Sequence, residues 1–158
     1  MILYHGTNID FDAIDLSKCS LHKDFGQGFY LTDIKNQAER MAMRRSRRSG
    51  HPVVQAYYFD EKILTNSVFK VLRFEKPNEN WAQFIFLNRE QRNPPFSHPY
   101  DIVYGPVADD GVAYTLELYK EGKLTLSEIA KELEFKQLNN QYCFCTTHAL
   151  ESLKRTSI

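Results

Sequence analysis

The chain has 158 residues, of which 42% are apolar and 25% are charged, close to the average for soluble globular proteins. Its 20 Lys and Arg residues balance its 20 Asp and Glu residues, so its overall charge does not favour nucleic acid or an anionic membrane as a partner. At this length we expect a single domain spanning residues 1–158, large enough to need no disulfide or metal for stability.

Several absences narrow the class of protein. No apolar run approaches the roughly 18 residues of a membrane span, and the N-terminus lacks the basic and apolar segments of a signal peptide. Of the three cysteines, Cys143 and Cys145 stand two residues apart on a predicted strand, too close to bridge each other easily. The five histidines show no ligand spacing. We therefore expect reduced thiols, a cytoplasmic location, no membrane partner and no metal site.

The first third of the chain predicts two strands and a helix. Residues 2–7 indicate a strand, residues 8–27 a loop with one short helical turn, and residues 29–32 a second strand. Asp33 is typical of a helix N-cap, and the helix after it ends in basic residues before Gly50. The predicted apolar face of this helix consists of Ile34, Ala38, Met41 and Ala42.

The remaining elements do not alternate regularly. Further strands are expected at residues 53–59, 68–74, 100–104 and 141–145. Helices are expected from after Pro77 to Arg89, at residues 112–121 and 126–134, and after a cap at Thr147. The capping box of Thr125 and Glu128 marks one helix start. Without β-α-β alternation, the pattern predicts an α+β fold with a mostly antiparallel sheet.

Three segments carry residues suited to binding chemistry. The first is Tyr4-His5-Gly6-Thr7, at the end of the first strand. The second runs from Asp24 to Thr32 and contains Gly26-Gln27-Gly28-Phe29-Tyr30. The third, residues 140–146, contains Gln141. Each has an ordinary structural explanation by itself, such as a histidine at a strand end or a tight glycine turn.

Together these segments resemble the ADP-ribosyltransferase superfamily, in its diphtheria-toxin and poly(ADP-ribose) polymerase branch. That branch has a His-Gly-Thr strand, a Gly-Phe/Ile-Tyr strand leading into a helix, and a late strand with a Glu. With Trp81, Arg89 and the strand at residues 101–106, the chain is similar to an uncharacterised bacterial family of that superfamily. The resemblance implies an α+β fold with a split β-sheet core, flanking helices and an NAD cleft between two sheets.

The resemblance also implies NAD as a co-substrate, bound without a metal. The backbone of Gly6 would hold the nicotinamide amide, His5 would bond a ribose hydroxyl, and Tyr30 would stack on the cationic nicotinamide ring. The other residues implied in NAD binding are Thr7, Gly28, Phe29 and Met41, the last replacing a second aromatic ring.

Gln141 stands where the superfamily has its catalytic glutamate. An amide can bond a ribose hydroxyl, but it carries no charge and cannot act as a base. Asp109 and Asp110 are candidates for the missing acid, with a solvated loop pair as the alternative, and Glu151 is a weaker candidate. The implied catalytic set is therefore Tyr30, Gln141 and Asp110.

The resemblance leads us to expect an NAD-dependent mono-ADP-ribosyltransferase acting on an intracellular protein or nucleic-acid acceptor. A small chain of this kind resembles the toxin of a bacterial toxin–antitoxin or defence pair, with an antitoxin as partner. The alternatives are an NAD glycohydrolase or phosphorylase, and a non-catalytic NAD or ADP-ribose-binding module, which Gln141 favours. Arg89 suggests either an ion pair or an anion site. The same choice applies to Arg40, Arg44, Arg45, Arg47 and Arg48 at the end of the first helix.

Overall fold

Seven strands and five α-helices make up the regular structure of the described residues. The computed structural model describes residues 1–108, 110–134 and 139–157. The strands are β1 (Ile2–Thr7), β2 (Phe29–Leu31), β3 (Val53–Tyr58), β4 (Val71–Arg73), β5 (Ile102–Pro106), β6 (Asn140–Phe144) and β7 (Lys154–Thr156). The helices are α1 (Lys35–Ser46), α2 (Glu79–Arg89), α3 (Asp110–Lys120), α4 (Leu126–Glu134) and α5 (Thr147–Leu150).

Two β-sheets meet at one short bridge. The first sheet has the strand order β1-β3-β7, and the second has the order β2-β6-β5-β4. Tyr4 of β1 and Thr32, just after β2, exchange backbone hydrogen bonds of 2.7 and 3.0 Å. Among these strands only β4 and β5 pair in parallel. The predicted α+β class and mostly antiparallel pairing are therefore confirmed.

Alternate residues of the second sheet face two different cores. Val103 and Cys143 pack with Trp81 in a core that α2, α3 and α4 complete. Their neighbours in the same strands, Ile102 and Phe144, belong to the core that lies against the first sheet. Successive side chains of a strand point to opposite faces. The second sheet is thus covered by helices on one face and by the first sheet on the other.

Two predicted helix caps are wrong by one residue. The N-cap of α1 is Ile34 rather than Asp33, and its side chain makes no capping hydrogen bond. The hydroxyl of Thr32 accepts the Ile34 N–H at 3.2 Å instead, because it already lies at the sheet junction. The cap of α5 is Thr146 rather than Thr147, and its hydroxyl accepts a backbone N–H of the first turn.

The three central helices agree closely with their predictions. α2 ends at Arg89 and α4 begins at Leu126, as expected, and α3 ends one residue earlier than expected. The capping box of α4 is confirmed, because Thr125 N–H donates to Glu128 Oε2 at 2.8 Å and Glu128 N–H donates to Thr125 Oγ at 3.2 Å. Local side-chain chemistry was sufficient for these boundaries.

Several strands differ from prediction in extent. The strand expected at residues 68–74 is limited to β4, and Gly105 and Pro106 lie inside β5 instead of closing it. Glycine is required there, since a Cβ at Gly105 would lie 2.9 Å from the Cβ of Phe74. The short helical turn Glu61–Leu64 and strand β7 were not predicted. β7 consists of three exposed polar residues and shows no apolar alternation.

Helix α1 packs on β1 through small residues. Of its predicted apolar face, Ala38 and Ala42 are buried. Ile34 and Met41 are instead 37% and 41% exposed. The reason is Gly6, because a Cβ at this position would lie 2.0 Å from the Ala38 carbonyl oxygen. The helix therefore approaches the strand too closely for any larger side chain to fit between them.

Replacing Gly6 should destabilise the fold. The methyl group of Gly6→Ala would meet the Ala38 carbonyl oxygen at 2.0 Å and the Ala42 nitrogen at 2.9 Å. We expect the free energy of unfolding, measured in urea, to fall by about 3 kcal/mol. The control is Gly122→Ala, where no atom lies within 4 Å of the added Cβ and only the positive φ costs about 1–2 kcal/mol. Equal losses would contradict the close packing of α1.

Candidate functional site

Three segments that are far apart in the sequence meet where the two sheets join. His5 lies on β1, Tyr30 on β2 and Gln141 on β6. The His5 ring contacts the backbone of Tyr30, with Nδ1 at 2.8 Å from the carbonyl oxygen. Tyr30 pairs with Cys143 in the β2–β6 ladder, two residues from Gln141. The structure thus brings the three predicted motifs together.

The backbone of Gly6 has an unpaired donor and an unpaired acceptor. In an antiparallel strand, alternate residues direct their N–H and C=O groups to opposite edges. Tyr4 uses its groups to bond Thr32, so Gly6 directs its own groups toward the same edge. If the pairing of β1 with β2 continued beyond Tyr4 and Thr32, Gly6 would lie opposite Tyr30. The Tyr30 carbonyl oxygen instead accepts a hydrogen bond from His5 Nδ1. Neither group of Gly6 has a hydrogen-bond partner among the described residues.

The His5 ring is buried and uncharged near neutral pH. Burial lowers its pKa to about 4, although the hydrogen bond to Tyr30 opposes this effect. The ring lies against Phe29, with 4.4 Å between ring centroids. A neutral imidazole that donates through Nδ1 keeps Nε2 as an acceptor. Nε2 has no hydrogen-bond partner in the described part of the chain, so it can accept from a hydroxyl group.

The hydroxyl of Tyr30 holds the preceding loop. It donates to the Gly26 carbonyl at 2.7 Å and accepts the Phe25 N–H at 2.9 Å. The Tyr30 ring lies nearly parallel to the Phe25 ring, with 6.5 Å between centroids. Burial raises the Tyr30 pKa well above its usual value, so the hydroxyl stays protonated. The sequence assigned a role to the ring, and the structure adds a separate role for the hydroxyl.

Gln141 is hydrogen-bonded to a buried carboxylate. Its Nε2 donates to Oδ2 of Asp24 at 2.9 Å. Because a carboxylate can only accept, this contact identifies the amide nitrogen and leaves Oε1 as the free end of the amide. Oε1 has no partner among the residues that the structure describes. The amide is therefore oriented to accept a hydrogen bond from a ligand.

The same carboxylate is held by α2 and by the segment after β5. Arg89 donates to Asp24 Oδ1 from Nε at 2.8 Å, and its Nη2 lies 2.6 Å from the same oxygen. The Ala108 N–H donates to Oδ2 at 3.2 Å. Trp81 Nε1 donates to the Pro106 carbonyl at 3.1 Å and so attaches α2 to the end of β5. The ion-pair alternative for Arg89 is confirmed.

Asp24 is a residue of this site that the sequence did not predict. The acids predicted to compensate for Gln141 follow β5 and α5, whereas the carboxylate beside Gln141 comes from the second motif. Two signals were present. Asp24 is the only acid in the segment 24–32, and an ion pair of Arg89, one of its two predicted roles, requires an acid as partner.

Of the three acids predicted from the sequence, only Glu151 has a side chain that the structure describes. Asp109 lies outside the described residues, and Asp110 is the first residue of α3. Glu151 directly follows α5. Gln141 lies near the beginning of β6, whereas Glu151 comes after the other end of that strand. Glu151 is exposed and lies 3.6 Å from His148 Nδ1.

The remaining predicted contacts divide into buried and exposed residues. Thr7 and the Phe29 side chain are 3% exposed, and Phe29 supports the His5 ring from within the core. Gly28 permits close packing of β2 on β6, since a Cβ there would lie 2.4 Å from Cys143 Sγ. Met41 is exposed on α1 and accessible to a ligand.

The basic end of α1 lies near His5. Arg45 is close enough for its charge to contribute to the lowered His5 pKa. None of the arginines of this segment forms an ion pair with an acid of the described residues. These arginines are Arg40, Arg44, Arg45, Arg47 and Arg48.

Two surface cavities lie away from the sheet junction. One of about 230 Å³ lies between α2 and α3, and Arg89 is among its lining residues. The other, of about 660 Å³, lies along β3 and β7. Neither is lined by His5, Gly6 or Gln141. Within the described ranges, no cluster of His, Cys, Asp and Glu could hold a metal ion, and no helix is long and apolar enough to cross a membrane.

Fold and site together define a mixed α+β protein with a polar site where its two sheets separate. Residues 1–155 match the model of a family described as "Protein of unknown function (DUF3990)". The chain therefore belongs to this family. Searches of curated proteins and of solved structures returned no match.

Removing the Asp24 charge should destabilise the protein. In Asp24→Asn, Arg89 loses its carboxylate and the hydrogen bond of Gln141 is disrupted. Arg89 is partly exposed, so we expect a loss of about 2–3 kcal/mol in the free energy of unfolding. The matched control is Glu75→Gln, which removes the carboxylate of the exposed Arg73–Glu75 pair and should cost less than about 1 kcal/mol. Similar urea midpoints for the two variants would show that Asp24 does not organise the site.

Proposed function

We propose that this protein is an NAD-dependent mono-ADP-ribosyltransferase with an ADP-ribosyltransferase-like split-sheet core. The observation that carries the proposal is the unpaired N–H and C=O of Gly6. A primary carboxamide such as that of nicotinamide offers one acceptor and two donors, which complement these two groups. The motif that predicted this contact from the sequence is His5-Gly6-Thr7.

The surroundings of Gly6 support a dinucleotide as the ligand. The free Nε2 of neutral His5 suits a ribose hydroxyl, which donates a hydrogen bond. Arg45, in the last turn of α1, forms no ion pair with an acid of the described residues and supplies positive charge near His5, as a pyrophosphate requires. The ring of Tyr30 and the exposed Met41 remain the proposed contacts of the nicotinamide ring.

Gln141 and Asp24 can share the role of a catalytic glutamate. Cleavage of the nicotinamide–ribose bond develops positive charge on the ribose, which nearby negative charge stabilises. The Gln141 amide accepts the ribose hydroxyl through Oε1, while Asp24 on its Nε2 increases the negative character of that oxygen. A glutamate at this position would instead face a second carboxylate at 2.9 Å, which disfavours ionisation of both.

We further propose an intracellular acceptor, either protein or nucleic acid, and an antitoxin partner that holds the activity in check. In the reaction, the acceptor replaces nicotinamide on the ribose carbon and loses a proton. An NAD glycohydrolase differs only in using water as the acceptor. A binding module is the second candidate, favoured by the uncharged side chain of Gln141. Product analysis distinguishes them, since the module releases no nicotinamide.

The amide contact with Gly6 predicts selectivity between two dinucleotides. Nicotinic acid adenine dinucleotide has a carboxylate, which cannot donate to the Gly6 carbonyl and is repelled by it. We expect NAD to bind about 10–100-fold more tightly in calorimetry, the range for an unmade hydrogen bond in a buried site. Equal affinity for the two dinucleotides would refute the assignment of Gly6. Absence of NAD binding would refute the proposed function.

The role of Gln141 predicts a loss of turnover. Gln141→Ala removes the acceptor for the ribose hydroxyl, so nicotinamide release from NAD, followed by chromatography, should fall at least about tenfold. Gln83→Ala is the matched control, because Gln83 is exposed on α2 and should leave the rate unchanged. Unchanged release in Gln141→Ala would exclude a catalytic role. Tight NAD binding without nicotinamide release from the parent protein would favour the binding module.

A further inference from the structure

Cys143 in β6 and Cys145, just after this strand, have thiols in contact. Cys143 Sγ and Cys145 Sγ are 3.4 Å apart. Residues at positions i and i+2 of a strand point to the same face, so the two thiols meet although Phe144 lies between them. These two cysteines and Cys19 are all free. The proposed catalytic chemistry uses none of them.

The two thiols have different environments. Cys143 is fully buried, and burial raises its pKa well above the usual value. Cys145 is partly exposed. Its pKa is lowered, because its sulfur is hydrogen-bonded to the Cys143 thiol and the His98 imidazole lies beside it. An accessible sulfur with thiolate character thus lies next to a protonated buried thiol, and thiolates are the reactive form of cysteine.

We propose that Cys143 and Cys145 form a redox-active dithiol, which a small disulfide such as oxidised glutathione converts into an intrachain disulfide. The Cys145 thiolate attacks one sulfur of oxidised glutathione, breaks its S–S bond and releases one glutathione thiolate. Cys143 loses its proton to solvent, attacks the Cys145 sulfur of the mixed disulfide and releases the second glutathione. The two thiols lose two electrons, and oxidised glutathione gains them.

The bond requires the chain to bend at the end of β6, which is why the sequence spacing did not favour a bridge. In an extended strand the Cα atoms of residues i and i+2, and their parallel Cβ atoms, lie about 6.6 Å apart, whereas a disulfide needs Cβ atoms about 3.5–4.5 Å apart. The sulfur atoms must approach from 3.4 Å to about 2.05 Å. A bond formed under such strain is readily reduced again, so this pair suits a reversible switch better than a permanent crosslink.

Oxidation would act on the candidate site through Cys143. This residue pairs with Tyr30 across the β2–β6 ladder. A Cβ at Gly28 would lie 2.4 Å from the Cys143 sulfur, so this sulfur packs directly against the second motif. Moving it toward Cys145 removes that support. Weaker NAD binding by the oxidised protein is therefore expected, a consequence that rests on the proposed function.

Intact-mass spectrometry tests the disulfide itself. Treating the reduced protein with oxidised glutathione should remove about 2 Da, and the thiols alkylated after denaturation should fall from three to one. A non-reducing peptide map should locate the bond between Cys143 and Cys145. Cys19→Ser should still lose about 2 Da, whereas Cys145→Ala should not. A lasting glutathione adduct on Cys145, or a bond that involves Cys19, would overturn the proposal.

A titration with NAD tests the link to the site. The oxidised protein should bind NAD at least about tenfold more weakly than the reduced protein, and dithiothreitol should restore the affinity. Cys145→Ala should bind NAD equally well before and after treatment with oxidised glutathione. Equal affinity of both redox forms of the parent overturns the link. If the reduced parent binds no NAD, the proposed function fails, while the mass measurement still decides whether the dithiol forms a disulfide.

Discussion

The buried carboxylate of Asp24 is the interaction on which the site depends. A carboxylate removed from water needs an opposite charge and hydrogen bonds in place of the water it loses. Arg89, the Ala108 N–H and the Gln141 amide supply them. These partners come from α2, from the segment after β5 and from β6, so one side chain connects the loop before β2 to three other parts of the chain. The orientation of the Gln141 amide follows from that connection.

The separation of the two sheets and the candidate site have a common cause. The ladder between β1 and β2 stops after the Tyr4–Thr32 bridge, because the His5 ring takes the Tyr30 carbonyl that Gly6 would otherwise face. A strand edge without a partner offers its N–H and C=O groups to other molecules. One buried, neutral histidine therefore ends the pairing and leaves the backbone groups of Gly6, the proposed contact of the nicotinamide carboxamide, without a partner among the described residues.

Close backbone packing and the proposed binding use the same glycines. Gly6 allows α1 to pack closely on β1, and Gly28, just before β2, leaves room for the Cys143 sulfur. Both belong to segments that suggested ligand binding from the sequence. The proposed disulfide extends the same principle, because drawing the Cys143 sulfur toward Cys145 would disturb its packing against Gly28. The site is thus sensitive to changes in the packing around Gly6 and Gly28, as well as to changes of its own polar groups.

Local sequence patterns were enough to predict the elements whose causes lie within a few residues. The capping box of Thr125 and Glu128 and the helix ending at Arg89 are local features, and their predictions are confirmed. The sequence also grouped His5, Tyr30 and Gln141, through a resemblance whose functional content remains a prediction. Which charged groups meet, in contrast, depends on the packing of the folded chain. Asp24 is 65 residues from Arg89 and 117 from Gln141, and such pairing depends on how whole elements pack, which no local pattern encodes.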